Sequence, residues 1–440
     1  NFNLFGCRCG DGAMALLTCW LLLFEGVLLT TSGLTHTSLH TFKLSRASPG
    51  HAASHAAAGG LKGAGDSQAT VFDADEHGKR QHNPHHQKSD AAPATAGHGK
   101  GPHPSHPAPW FGETELKRIA AMVYTVVWVG TPPRPMRVQV DTGSSDLIIP
   151  SCSCSSCHGD GHHCFNLSAS RTATLCPWNA DCPFRISYGD GTKLSGKVLE
   201  EMVAMDIDGK PQMPTVLYVG LMYAAQPHAV FTEVGIDGIF GLAYDSIATT
   251  KQPSPISLVV AKHGLEDVFA MYIGSRPEGK DGTLTIGGYD KRLFNGAIHW
   301  TPITEESYYC VETMVLEVGG RPVVSGPSHF GHVFVDSGTT FTLLPYPAFQ
   351  AVKSFLQERY CHLPLVCPPD NGPPKHTMFD HLCMVGTELP KGYPTFTWHF
   401  KGGAVVHVPP EAYFSQIPYG DKFLHCFGLG PLRGVRPMTI

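Results

Sequence analysis

One short motif occurs twice in this chain, in the same frame, and it constrains the fold more than any other feature. Val140-Asp141-Thr142-Gly143-Ser144-Ser145 and Val335-Asp336-Ser337-Gly338-Thr339-Thr340 each follow an alternating apolar run, Val138-Gln139-Val140 and Val333-Phe334-Val335. Each leads into an apolar pair, Ile148-Ile149 or Leu343-Leu344, and closes on a proline, Pro150 or Pro345, at the same interval from its aspartate. One Asp-Thr-Gly-Ser says little, because Asp and Gly together usually mark a turn. Two copies in matched frames point to a duplicated lobe, with one carboxylate from each lobe presented at a shared seam.

The rest of the sequence bounds the class. A chain of 440 residues has room for two or three domains and a sizeable core. Its formal charge is −5 and only 16% of its residues are charged, with no basic stripe interleaved with aromatics, so no nucleic-acid partner is expected. Glycine and proline are plentiful and helical periodicity is scarce, which favours an all-β protein. Strands are expected at 123–129, 136–140, 184–188, 198–205, 282–286 and 308–314. Pro347, Phe349, Val352, Phe355, Leu356 and Tyr360 have the best helical spacing, with proline suited to a first turn, and 257–272 contains a weaker helix.

The sequence begins at Asn1 and not at Met, and reads as a fragment or an incomplete gene model. Residues 1–33 carry the apolar run Met14–Phe24, resumed at Val27-Leu28-Leu29 and followed by small residues, as in a signal peptide or signal anchor. The chain is therefore expected in the secretory pathway: endoplasmic reticulum or Golgi, vacuole, or outside the cell. Residues 34–116 are low in complexity and too poor in apolar side chains to offset their ordering entropy, so they are expected to be a disordered stretch, a candidate pro-region. The histidines there read as compositional bias, and Lys79-Arg80 and Lys117-Arg118 as candidate processing sites. Order is expected from Lys117, with a first lobe over 117–300 and a second over 301–440.

Of 14 cysteines, Cys152, Cys154, Cys157, Cys164, Cys176 and Cys182 crowd into 152–182. Beside a secretory signal, such density reads as disulfides paired among themselves. Zinc bound by Cys152, Cys154, Cys157, His158, His162, His163 and Cys164 is the rival reading. Cys-x-Cys-x-x-Cys is not a standard finger spacing and the compartment is oxidising, so no metal and no cofactor is assigned. Asn166-Leu167-Ser168 is a glycosylation sequon, which suits a surface position.

Two aspartates in one cleft can hydrolyse a peptide bond without metal or covalent intermediate. Like charges a few ångströms apart cannot both ionise, so such a pair shares a proton, an established property of carboxylate dyads. The ionised member takes a proton from a water as it attacks the carbonyl, and the protonated member donates to the carbonyl oxygen. Gly143 and Gly338 leave space for the opposite loop and let a backbone N–H approach the carboxylates. Ser144 and Thr339 supply hydroxyls for the outer carboxylate oxygens.

With these residues in view, the chain from about Val123 onward resembles the pepsin family of aspartic proteases. The resemblance implies a bilobal all-β fold, two pseudo-twofold-related barrel-like lobes with a cleft between them, and makes Asp141 and Asp336 the catalytic pair. Tyr188-Gly189-Asp190-Gly191-Thr192 resembles the flap, a hairpin over 186–194 whose tyrosine closes over substrate. Asp237-Gly238-Ile239-Phe240-Gly241-Leu242-Ala243 resembles the strand threading behind the first aspartate loop, and Gly287-Gly288-Tyr289-Asp290 with Trp300-Thr301-Pro302-Ile303 the passage between lobes. The cysteine-rich insert departs from pepsin and is similar to that of nepenthesin-type and plasmepsin V-like members. The resemblance also implies a Cys383–Cys426 disulfide. Cys361 and Cys367 can close a small loop, which leaves Cys310 as the unpaired thiol.

Two departures from the family stand out. The tryptophan that commonly follows the first aspartate loop is replaced by Leu147-Ile148-Ile149, so Tyr188 needs another partner or swings more freely. The chain reaches Met438-Thr439-Ile440 where the family's second Ile-Leu-Gly strand begins, so the second lobe is expected to be truncated, with an unsupported Asp336 loop and no activity in these 440 residues alone. The function implied is a monomeric aspartic endopeptidase acting on extended peptide or protein substrates, made as a zymogen, with a membrane anchor not visible in this chain. The alternative is an inactive scaffold of the same fold that binds peptides or acts as an inhibitor. It has no chemical need of both aspartates, both glycines and both hydroxyls.

Overall fold

The computed structural model describes residues 4–6, 71–73, 112–119, 122–157, 163–178, 181–189, 191–226, 235–273, 282–369, 376–432 and 438–439. The expected targeting segment and most of the low-complexity stretch lie outside these residues, as do His158, His162 and Asp190.

Short β-branched runs separated by glycine and proline turns give a protein built mainly of strands. The first lobe uses β1 (Gly112–Ile119), β2 (Met122–Val129), β3 (Arg134–Asp141), β4 (Leu147–Pro150), β5 (Pro183–Ser187), β6 (Lys193–Ile207), β7 (Lys210–Gln226), β8 (Gly238–Gly241) and β9 (Gly282–Ile286). Helix α1 (Pro255–His263) starts on Ser254, whose hydroxyl accepts from the Ser257 amide, and stops on left-handed Gly264. The second lobe uses β10 (Tyr309–Val311), β11 (Val333–Phe334), β12 (Thr342–Leu344), helix α2 (Tyr346–Tyr360), β13 (Leu429–Pro431) and β14 (Met438–Thr439). Ala348, Phe349, Val352 and Leu356 form the buried stripe of α2, as the spacing predicts.

The duplication is explicit in the strand order. In the first lobe β2 runs antiparallel to β3, β3 parallel to β8, β8 antiparallel to β4, and β4 parallel to β7. In the second, β10 runs antiparallel to β11, β11 parallel to β14, β14 antiparallel to β12, and β12 parallel to β13. Each aspartate loop thus leaves one strand and enters another, with a third strand threaded between them. Met438–Thr439 fill the second threading position, Thr439 pairing with Phe334 on one side and Leu343 on the other. The expectation of an unsupported Asp336 loop is corrected by this pairing, in which Met438–Thr439 bridge β11 and β12.

Order also begins earlier than expected. Thr114 and Leu116 point inward and Glu115 outward in β1, which pairs with both β2 and β9. The Thr114 hydroxyl meets that of Thr125 at 2.9 Å. The boundary drawn at residue 116 therefore moves to before Gly112, and the dibasic pair Lys117-Arg118 lies inside a paired strand, opposite Tyr124 and Val123. Among the described residues no helix is long and apolar enough to cross a membrane.

Two large apolar cores follow the two lobes. The first runs from Leu116 to Tyr309 and the second from Val311 to Leu429, so the chain changes core at Cys310 rather than near residue 300. A third, smaller cluster forms where the insert's Cys154, Cys157 and Cys182 pack with Phe184, Leu194 and Val198 of the β5–β6 hairpin. The disulfides are Cys152–Cys164, Cys154–Cys157, Cys176–Cys182, Cys361–Cys367 and Cys383–Cys426, and Cys310 is a buried free thiol.

The threading strand works only with glycine where it crosses β4. A Cβ on Gly238 would lie 2.0 Å from the Ile148 carbonyl oxygen, and backbone cannot retreat as a side chain does. Gly238→Ala is expected to destabilise the first lobe by about 3 kcal/mol, read as a lowered denaturant midpoint. An unchanged midpoint would contradict this packing.

Candidate active site

The two aspartate loops meet at their second residues. The Thr142 hydroxyl donates to the Val335 carbonyl at 3.0 Å and accepts from the Ser337 amide at 2.8 Å. The Ser337 hydroxyl donates to the Val140 carbonyl at 2.8 Å and accepts from the Thr142 amide at 3.1 Å. Both side chains are buried, so each hydroxyl satisfies a donor and an acceptor of the other lobe that water does not reach. Gln139 adds a fifth link across the seam, its amide donating to the Gly338 carbonyl at 3.0 Å.

This junction places Asp141 and Asp336 side by side. Asp336 is 0% exposed and Asp141 is 6% exposed. Each carboxylate is held twice by its own loop. The Gly143 amide donates to Asp141 Oδ1 at 2.9 Å and the Ser144 hydroxyl to Oδ2 at 2.5 Å. The Gly338 amide donates to Asp336 Oδ1 at 2.8 Å and the Thr339 hydroxyl to Oδ2 at 2.6 Å. Each glycine faces the other lobe's carboxylate. A Cβ on Gly143 would stand 2.7 Å from Asp336 Oδ1, and one on Gly338 would stand 2.2 Å from Asp141 Oδ1. The six residues singled out in the sequence are thus brought into one constellation.

Behind the first loop, Asp146 is buried and accepts from the amides and hydroxyls of Thr249 and Thr250, at 2.8 and 2.6 Å and at 3.2 and 2.6 Å. The β8 strand closes the loop from the other side: the Gly241 amide donates to the Asp146 carbonyl at 3.0 Å and the Leu242 amide to the Asp141 carbonyl at 2.8 Å. Asp237, at the start of that strand, also receives the insert. Its carboxylate accepts from the His163 amide at 3.1 Å and the Arg137 amide at 2.7 Å, and His163 Nδ1 lies 3.2 Å away.

The β5–β6 hairpin turns at Tyr188-Gly189, the Tyr188 amide donating to the Thr192 carbonyl at 2.8 Å and the Gly191 amide to the Tyr188 carbonyl at 3.1 Å. Tyr188 is partly buried against the cluster shared with the insert. Asn166 is exposed, and its side-chain oxygen accepts from the amide and hydroxyl of Ser168 at 3.2 and 2.8 Å. Among the described residues no group of three or more His, Cys, Asp or Glu side chains is placed to hold a metal, and the insert's cysteines are all in disulfides.

Sequence reasoning passed over several contributors. Thr142 and Ser337 occupy the same place in both repeats, so comparing the copies position by position would have found them. Asp146 has no counterpart in the second copy and carried no signal. Tyr308 stacks on Phe334 with ring centres 4.8 Å apart. Burial first, then the negative charge of Asp336 and Asp141, pushes its phenol above the ordinary tyrosine range.

The glycine beyond the second aspartate sets how near the two carboxyl groups come. In a Gly338→Ala variant Asp141 must retreat by about 1 Å to reach ordinary van der Waals contact. A crystal structure of the variant is expected to show the two carboxyl groups moved apart by that amount. Unmoved carboxyl groups would contradict the contact.

A family model described as eukaryotic aspartyl protease matches residues 123–430. Chymosin of Callithrix jacchus is 32% identical over 220 residues, covering 50% of this chain and 54% of chymosin. Cathepsin E of Oryctolagus cuniculus is 31% identical over 227 residues, covering 50% of this chain and 54% of the relative. Human gastricsin is 27% identical over 317 residues, covering 70% of this chain and 78% of gastricsin. The chain thus spans about half the length of several curated relatives that it matches. The match runs through both aspartate loops and the threading strand of the first lobe, and on that extent the chain belongs to the eukaryotic aspartyl protease family.

Proposed function

We propose that this chain is an aspartic endopeptidase in which Asp141 and Asp336 together activate one water. The observation that carries the proposal is their reciprocal placement: each carboxylate is fixed by its own loop and packed against the other loop's glycine. In this mechanism one member of the pair acts as the acid and the other as the base. A water lodged between the carboxylates loses a proton to the ionised member as its oxygen attacks the peptide carbonyl. The protonated member donates to the carbonyl oxygen, giving a gem-diol. As the C–N bond breaks, the carboxyl group that took the water's proton gives it to the leaving amine. The other, ionised carboxylate takes a proton from a gem-diol hydroxyl as that oxygen becomes the carbonyl of the new acid, which restores the pair's one proton. The loop hydroxyls and amides supply pre-oriented donors, so little reorganisation is needed during the reaction.

The substrate is an extended peptide lying between the lobes, with the Tyr188-Gly189-Asp190 hairpin folding over it. One chain provides both carboxylates, so a monomer is complete as a catalyst. The five disulfides among the described residues and the apolar run near the start suit the secretory pathway, and one relative carries the name vacuolar aspartic protease, from Candida albicans. Asn166 is a site for an N-linked glycan in that compartment.

The test is cleavage of an unstructured protein at acid and neutral pH by the wild type and Asp336→Asn. Cleavage by the wild type is expected, with a loss of roughly a thousandfold or more in kcat/KM for the variant and peptide binding retained. Peptide binding without cleavage by the wild type would defeat the proposal in favour of a binding scaffold.

A further inference from the structure

Tyr309 is linked to both aspartate loops through different atoms, directly to Val335 and by way of Leu242 to Asp141. Its carbonyl accepts from the amide of Val335, the residue before Asp336, at 3.2 Å. Its phenol donates to the Leu242 carbonyl at 2.5 Å, and the Leu242 amide in turn donates to the Asp141 carbonyl at 2.8 Å. The residue sits where the chain crosses between cores. Its ring belongs to the first core, against Tyr244 at 5.3 Å and Phe269 at 5.5 Å, while Val311, two residues on, belongs to the second.

We propose that Tyr309 is a positioning residue that sets the spacing of the two aspartate loops, separately from the Thr142–Ser337 junction. This rests on the peptidase reading for its catalytic consequence, but not for its structural one. The backbone of Tyr309 holds Val335, which leads into the Asp336 loop, and its phenol is anchored on Leu242, whose amide holds the Asp141 carbonyl of the other loop. The phenol is thus a rigid strut between them, locked by aromatic contacts on the first lobe's side. Burial, with Tyr244 and Asp267 nearby, holds the phenol well above the ordinary tyrosine range, which keeps its proton available for donation. Neither the doubled motif nor the hairpin predicts such a residue, because Tyr309 lies outside both.

Tyr309→Phe in the full chain tests this, since phenylalanine keeps both ring contacts and removes only the strut's end. Hydrogen exchange resolved to single amides reads the structural half without any substrate. The Leu242 amide is expected to exchange roughly tenfold faster, with the Val335 amide, bonded to the retained carbonyl, unchanged. Peptide cleavage reads the catalytic half: kcat is expected to fall roughly five- to tenfold with KM within about twofold, and the pH profile of kcat to change shape as the carboxylates shift. Equal exchange at Leu242 in both proteins overturns the proposal, whatever the activity. So does faster exchange with kcat and its pH profile unaltered in an active enzyme. Faster exchange at Leu242 in the variant, with a wild type that cleaves nothing, supports the strut and defeats the peptidase reading alone.

Discussion

Two hydroxyls, on Thr142 and Ser337, hold this structure together at the point where it matters most. Each bonds both ways across the seam, and each is buried, so neither lobe's loop finds an equivalent partner in water. Leaving one buried backbone amide or carbonyl unpaired costs about 1–3 kcal/mol, and this junction satisfies four such groups. The exchange is possible only because the two loops are copies, each offering an amide, a carbonyl and a hydroxyl in the same order. Everything at the carboxylates follows from it: the glycine of each loop is pressed against the other's aspartate because the residues just before the glycines are already bonded together.

The scaffolds behind the loops are alike in topology and unequal in substance. The first loop has a four-residue threading strand, the four-bonded Asp146 carboxylate, and a cysteine-rich insert tied through His163 to Asp237. The second copy of the motif has Phe341 where the first has Asp146, so it lacks that buried carboxylate.

What could be read in advance divides along physical lines. Local chemistry was legible: alternating apolar residues marked β3, proline at the first turn marked α2, and the repeated frame marked both carboxylates with their glycines and hydroxyls. The strand Gly112–Ile119 was missed because its alternation is short and follows a long apolar-poor stretch, and only pairing with two neighbours makes it ordered. The closure of the second loop was missed for a similar reason, since two residues carry no periodicity. Tyr309 was illegible because its role comes from the three-dimensional meeting of residues 242, 309 and 335, and no local pattern encodes that meeting.

The claim that the two lobes are one unit at this junction is tested most directly by a double-mutant cycle on Thr142→Val and Ser337→Ala, measured as unfolding free energy. If the four bonds act as one junction, the first substitution already loosens what the second would break. The double variant is then expected to lose less than the two single losses combined, by about 1 kcal/mol or more. Losses that add to within about 0.5 kcal/mol would mean that the two hydroxyls act independently, and the junction would not be the unit on which the paired carboxylates depend.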